Sequence, residues 1–188
     1  MEIEPLLPDN FYHIYNRGIN RQSIFTHHEH YYWFLELCKK YLPSFADVYA
    51  YCLMPNHFHF LLYIQAHPDR VPPPCQGMAH LCNAYAQWFN KQTQRTGNLF
   101  QRPFKRKRIQ DQQYLMGLIY YIHRNPLHHK IAKHPSEYPF SSYHEIVGKD
   151  RTMLQREQVL EWFDGTDNFN AYHSMNFNLF EGNQLEDD

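Results

Sequence analysis

No apolar run in this 188-residue sequence approaches the roughly 18 residues that a membrane-spanning helix needs. No basic-then-apolar leader opens it either, so a cytoplasmic protein is expected. Cysteine is sparse. Cys38, Cys52, Cys75 and Cys82 form no C-x-x-C pair, and a 22.9 kDa chain is too large to depend on a disulfide framework. A thiolate zinc site is thereby disfavoured, and Cys38 and Cys52 read as small buried residues. Acidic residues are missing altogether between Asp69 and Asp111.

That gap matters more than the net charge of −1. Residues 1–144 hold 15 basic and 9 acidic side chains, whereas residues 145–188 hold 3 and 10. A basic body is paired with an acidic tail. Inside the acid-free gap lies NLFQRPFKRKRI, where Arg102, Lys105, Arg106, Lys107 and Arg108 meet Phe100 and Phe104. Clustered cations with interleaved rings suit a single-stranded backbone whose bases stack, although such a run also serves as a solvated edge. Arg17 and Arg21, in a Gly-centred turn of YNRGINRQ, add to the same nucleic-acid surface.

The hydrophobic content of 43% supports one folded body with a proper core. FYHIYN reads as a strand, and HHEHYYWFLELCKKYL as a helix with Thr26 as its N-cap. ADVYAYCLM and HFHFLLYI read as a hairpin turning at Pro55-Asn56. After the proline-rich AHPDRVPPPCQG, expected to be mobile, MAHLCNAYAQWFNKQTQ reads as a second helix with Leu81, Tyr85, Trp88 and Phe89 facing the core. The basic run supplies another strand. DQQYLMGLIYYIHRNP reads as a third helix from about Asp111, closed by Pro126. The order βαββαβα predicts an α+β sandwich, an antiparallel sheet with its helices on one face. A catalytic body over residues 1–148 and a C-terminal extension over 149–188, ending in an acidic and partly disordered tail, are expected.

Two patterns carry chemistry. His57 and His59 in the second hairpin arm project to one face, while Phe58 and Phe60 project to the other. Two imidazoles are too few to hold a metal ion, so a third donor is required. On the third helix, Leu115, Leu118, Ile119 and Ile122 form an anchoring stripe, and Tyr121 and Asn125 stand one turn apart along its edge. Gly117 would leave room for a substrate strand there and Arg124 could meet its phosphate. Tyr120 is turned away from Asn125, and His123 and His128 read as surface residues or as supports behind the site.

Taken together, these motifs resemble the single-tyrosine HUH transposases, and within them the REP-associated tyrosine transposase group of IS200-like proteins. His57-Phe58-His59 within MPNHFHFLL matches the histidine motif, and Tyr121-Ile122-His123-Arg124-Asn125-Pro126 matches the nucleophile motif. YNRGINRQSIF, GNLFQRPFKRK and YPFSSYHEIVG extend the likeness over roughly residues 10–148. NPLHHKI departs from the small-residue stretch that many members carry after the proline.

The resemblance implies a ferredoxin-like fold and metal-dependent cutting and rejoining of single-stranded DNA through a 5′-phosphotyrosine. It implies Tyr121 as nucleophile, and His57, His59 and Asn125 as ligands of Mg²⁺ or Mn²⁺. Hairpin-containing single-stranded DNA would be the partner, bound by a monomer or a homodimer. A role as domesticated host nuclease on repeated palindromic sequences fits the same residues. Two other classes remain: a metal-dependent phosphoesterase using H-x-H and an activated water, and a non-catalytic nucleic-acid-binding module. The acidic tail is expected to mimic nucleic acid and cover part of the basic surface.

Overall fold

Alternating side chains pair four segments into one antiparallel sheet: β1 (Asn10–Arg17), β2 (Ala46–Met54), β3 (His57–Ile64) and β4 (Lys105–Ile109). The computed structural model of the chain describes residues 4–66 and 73–175. The strand order is β2-β3-β1-β4, with β1 between β3 and β4. With helices α1 (His28–Tyr41) and α2 (Pro74–Gln92) as the crossovers, this is the expected ferredoxin-like topology. β2 and β3 form the hairpin, turning at Pro55-Asn56 with Met54 opposite His57.

Both crossovers pack on the Phe58/Phe60 face. Phe34 of α1 touches Phe58 at 5.2 Å and Tyr85 of α2 at 5.0 Å between ring centroids. Leu81, Tyr85 and Phe89 are buried as read from the sequence, and Trp88 is half-buried. Gly77 lets α2 approach closely, because a Cβ there would lie 2.5 Å from the ring of Phe45. α2 starts four residues earlier than MAHLC suggested, at Pro74, where a missing N–H costs nothing in a first helical turn. The remainder of the proline-rich connection, residues 67–72, lies outside the described residues. At α1 the cap position is His27, and Thr26 instead hydrogen-bonds the His30 ring at 3.1 Å.

The third long helix, α3 (Gln112–His128), corrects the one-face expectation. It lies against β2 and β3 on the opposite face, the one that carries His57 and His59. The physical reason is legible in β2 and β3 themselves. Both are buried nearly throughout, and a sheet buried on both faces needs a layer on each. Asp111 caps α3 by accepting the Gln113 N–H at 3.0 Å. Pro126 does not close the helix, which runs two residues further. One i−4 hydrogen bond is forfeited, and burial of Ile122, Asn125 and Pro126 offsets the cost.

Short helices α4 (Tyr143–Val147), α5 (Arg156–Trp162) and α6 (Thr166–Ser174) follow. Along the outer edge of β2, Phe140 O accepts from Leu53 N–H, and Ser142 N–H and Gln155 N–H donate to Tyr51 O and Val48 O, each at 2.9 Å. That edge is therefore covered. The β4 edge is protected instead by its charge, with Lys105, Arg106, Lys107 and Arg108 in succession. The acidic tail beyond residue 175 lies outside the described residues. No helix among the described residues is long and apolar enough to cross a membrane.

Candidate active site

Strand register assembles the histidine face row by row. Cys52, His59, Tyr15 and Lys105 form one row across β2, β3, β1 and β4, and Met54, His57 and Arg17 form the next. His57 and His59 are 3% and 1% exposed, so their imidazoles look into the layer between sheet and α3 and not into solvent. The turn that follows β1 is held tight at Gly18, where a Cβ would meet Gln22 O at 2.1 Å. That turn keeps Arg17 beside His57.

α3 delivers Tyr121 and Asn125 to these rings. Asn125 Oδ1 lies 3.1 Å from His57 Nε2. The Tyr121 ring stands edge-on to His59, with centroids 5.8 Å apart at 89°. Nucleophile candidate and imidazoles thus come together within one chain. Tyr120 points to the other side of the helix, where its hydroxyl donates to Met175 O at 2.7 Å.

Could these side chains hold a divalent cation? His57 Nδ1 is 2.7 Å from Asn56 Oδ1, and with the proton on Nδ1, the nitrogen nearer its acceptor, Nε2 would offer a lone pair. Nε2 faces the Asn125 amide oxygen, which would accept equally from a protonated Nε2. Two such donors at 3.1 Å match adjacent ligands of one ion, since bonds of about 2.1 Å at right angles put neighbouring donors about 3 Å apart. Among the described residues no three His, Cys, Asp or Glu side chains converge on a metal site. A cation here would therefore take imidazoles and an amide. The set fits Mn²⁺ well, and Mg²⁺ where further oxygens come from substrate or water.

Comparison with known proteins gives the family and the fold. Residues 8–125, more than half of the chain, match the family described as Transposase IS200 like. The chain belongs to the IS200-like transposase family. It is 26% identical over 110 residues to a REP-associated tyrosine transposase of Haemophilus influenzae, covering 54% of this chain and 61% of that relative. The alignment thus spans about three fifths of the relative's length. Its fold is similar to that of a REP-associated tyrosine transposase solved bound to a REP hairpin, with a TM-score of 0.60, 18% identity, and 78% of this chain and 85% of that one covered.

In this family member the basic residues are sorted by strand alternation. Lys105 and Lys107 share the histidine face, whereas Arg106 and Arg108 lie with Ile14 and Tyr12 on the other. Lys105 Nζ sits over the Tyr15 ring at 5.6 Å, and Lys107 Nζ donates to Tyr114 Oη at 3.1 Å. Arg106 stacks on Phe104 at 3.9 Å and donates to Cys75 Sγ at 2.9 Å. Arg102 is exposed and donates to Asn83 Oδ1 at 3.0 Å, and Arg17 donates to Gln101 Oε1 at 3.2 Å. Arg21 is exposed in the turn. Arg124 is engaged on the back of α3, over Tyr120 and donating to Met175 O at 3.1 Å.

Three sequence expectations are corrected. Phe100 is no base-stacking residue, because it is 6% exposed and packs against Phe58 at 5.8 Å. Gly117, expected on an open flank, is buried. His123 is not a surface residue either. Its Nδ1 meets His173 Nε2 at 2.9 Å and its Nε2 meets Ser142 Oγ at 2.7 Å, inside a layer that fastens α6 to α3. Burial drives the pKa of His123 well below the ordinary histidine value, and burial likewise takes His173 down to about 4. His128 is exposed, with its ring 5.8 Å from Tyr121.

Sequence reasoning missed two residues of the site, His13 and Asn56. His13 Nε2 lies 2.9 Å from His59 Nδ1. The only signal was a histidine at an apolar position of FYHIY, and register across 46 residues was needed to interpret it. Asn56 was read as a turn residue only.

Proposed function

We propose that this transposase cuts and rejoins single-stranded DNA at hairpins, through a covalent link between Tyr121 and the 5′-phosphate. The observation that carries the reading is the meeting of the Tyr121 ring with His59 while Asn125 Oδ1 faces His57 Nε2 at 3.1 Å.

In this reading His57, His59 and Asn125 hold Mg²⁺ or Mn²⁺. Two neutral imidazoles and an amide leave the ion's charge intact, and when bound it polarises and orients the scissile phosphate. Tyr121 Oη attacks phosphorus as the phenol gives up its proton. The bond from phosphorus to the 3′-oxygen breaks, and that oxygen leaves as a 3′-OH after taking a proton. Because the ester is conserved on Tyr121, another 3′-OH can reverse the step and join strands. A water-activating phosphoesterase has no such reversal.

Lys105 and Lys107 are the cations on the same face as the histidines, and Arg17 stands in register with His57. They suit the phosphates on either side of the cut. Arg21, Arg102, Arg106 and Arg108 would extend the path around the β4 edge, and Arg124 would serve only if its contact with Met175 is exchanged for phosphate. Hairpin DNA as the partner rests on the solved relative, which was bound to a REP hairpin.

The test is to incubate the full chain with Mn²⁺ and single-stranded hairpin oligonucleotides from the DNA flanking its gene. A denaturing gel should show a protein–DNA adduct, and peptide mapping should place it on Tyr121. An adduct on another residue, or cutting that persists in Tyr121→Phe, would overturn the reading.

A further inference from the structure

His13 stands behind the candidate cation site and belongs to neither motif. It and His59 are each 1% exposed, and their rings are nearly parallel, 18° apart with centroids at 5.1 Å. His13 pairs with Leu61 and Tyr15 with His59, so the contact from His13 Nε2 to His59 Nδ1 is a diagonal one between β1 and β3. Tyr15 stacks on both, 4.7 Å from His13 and 5.6 Å from His59. Neither ring turns freely under that cover.

Between two neutral imidazoles, one nitrogen donates and the other accepts. Were His13 the donor, His59 would carry its proton on Nε2 and could not use that nitrogen as a ligand. Were His59 the donor, its Nε2 would be left with a lone pair. At His57 the geometry suits the second pattern, with Asn56 Oδ1 placed 2.7 Å from Nδ1 as an acceptor and Nε2 directed to Asn125. A ligating histidine is usually fixed in this way by an acceptor on its other nitrogen.

We propose that His13 is a positioning residue: it accepts the Nδ1–H of His59 and so holds His59 in the tautomer that presents Nε2 to the cation shared with His57 and Asn125. The inference rests on the cation-binding reading above. Asn56 does the same for His57, so the two ligands are set by acceptors from different places, one on β1 and one in the hairpin turn.

The experiment uses the full chain labelled with ¹⁵N-histidine. In the metal-free protein, long-range ¹H–¹⁵N correlation should report the Nδ1–H tautomer for His59, assigned by its loss in His59→Gln. Calorimetric titration with Mn²⁺ should then show affinity reduced by about 10- to 100-fold in His13→Leu. His13→Gln, whose amide oxygen can accept the same proton, should restore most of it. A proton on His59 Nε2 in the wild-type protein overturns the inference, whether or not His13→Leu folds. So does wild-type Mn²⁺ affinity in a folded His13→Leu. If that variant keeps its affinity while the wild type forms the Tyr121 adduct, only the role of His13 falls. If the wild type binds no Mn²⁺, the cation reading falls with it.

Discussion

The two faces of the sheet are built from neighbouring residues of the same strand and have opposite tasks. Phe58 and Phe60 point into an aromatic layer with Phe34 and Phe100, ring against ring. One position away, His57 and His59 point into a layer where imidazoles meet an amide and a phenol. Both pairs are buried to the same degree. The difference teaches that burial alone does not separate stability from chemistry here. What separates them is whether each buried polar atom faces a partner that leaves another lone pair in a useful direction.

The comparison breaks most visibly at Tyr121. Replacing it with Phe should lower adduct formation on the order of 10³-fold or more, while hairpin binding by fluorescence anisotropy is kept and stability changes by less than about 1 kcal/mol. Phe58→Ala should do the reverse. It should cost about 3–5 kcal/mol in urea unfolding, and whatever fraction remains folded should still form the adduct.

Acid should sharpen the contrast further, through the layer behind α3. His173 and His123 have folded pKa values depressed by burial, to about 4 for His173, against an ordinary value of about 6.5. In the window between those values the unfolded chain binds the protons and the folded one does not. Stability is therefore full above the unfolded value and falls as pH drops through the window, by up to about 1.4 kcal/mol per pH unit for each histidine. Urea midpoints measured from pH 7 to 5 should fall accordingly, and a flat profile would remove this account of the His123–His173 pair.

A smaller effect is expected from Lys105→Ala with Lys107→Ala. If both meet phosphates, the slope of log affinity for single-stranded DNA against log salt should flatten by about 1.4, with the fold unchanged by circular dichroism. Smallest is removal of the acidic tail. Because α6 and the residue after it fasten to α3 through His173 and Met175, the cut belongs after Met175 and not after Gly148. If the tail covers the basic surface, DNA affinity at low salt should rise a few-fold; an unchanged affinity would dismiss that role.

Much of the fold was legible because period-two and helical patterns are local. Tyr121 and Asn125 one turn apart, and His57 and His59 two residues apart, needed only the geometry of one helix and one strand. Their meeting did not follow from those periods. The side of the sheet that α3 covers was misread, because the long hydrophobic run of β2 calls for cover on both faces without saying which helix goes where. Phe100 was misread for a similar reason: beside a basic run it looks like a stacking ring, yet a bridge between Gly18 and Phe100 ties it down to the end of β1. His123 shows the same blindness, since a histidine on a helix carries no mark of the histidine it will meet from α6 or of the serine at the edge of β2.

By itself, the sequence determined the elements, the residue types able to do phosphoryl chemistry, and the spacing that aims them in pairs, because those depend on bond geometry within a few residues. Tertiary structure alone decided that Asn125 would face His57, that Tyr121 would face His59, and that His13 would stand behind it. Those contacts depend on strand register and on which face a helix covers. Both are set by the packing of the whole sheet, a property that no short stretch of chain contains.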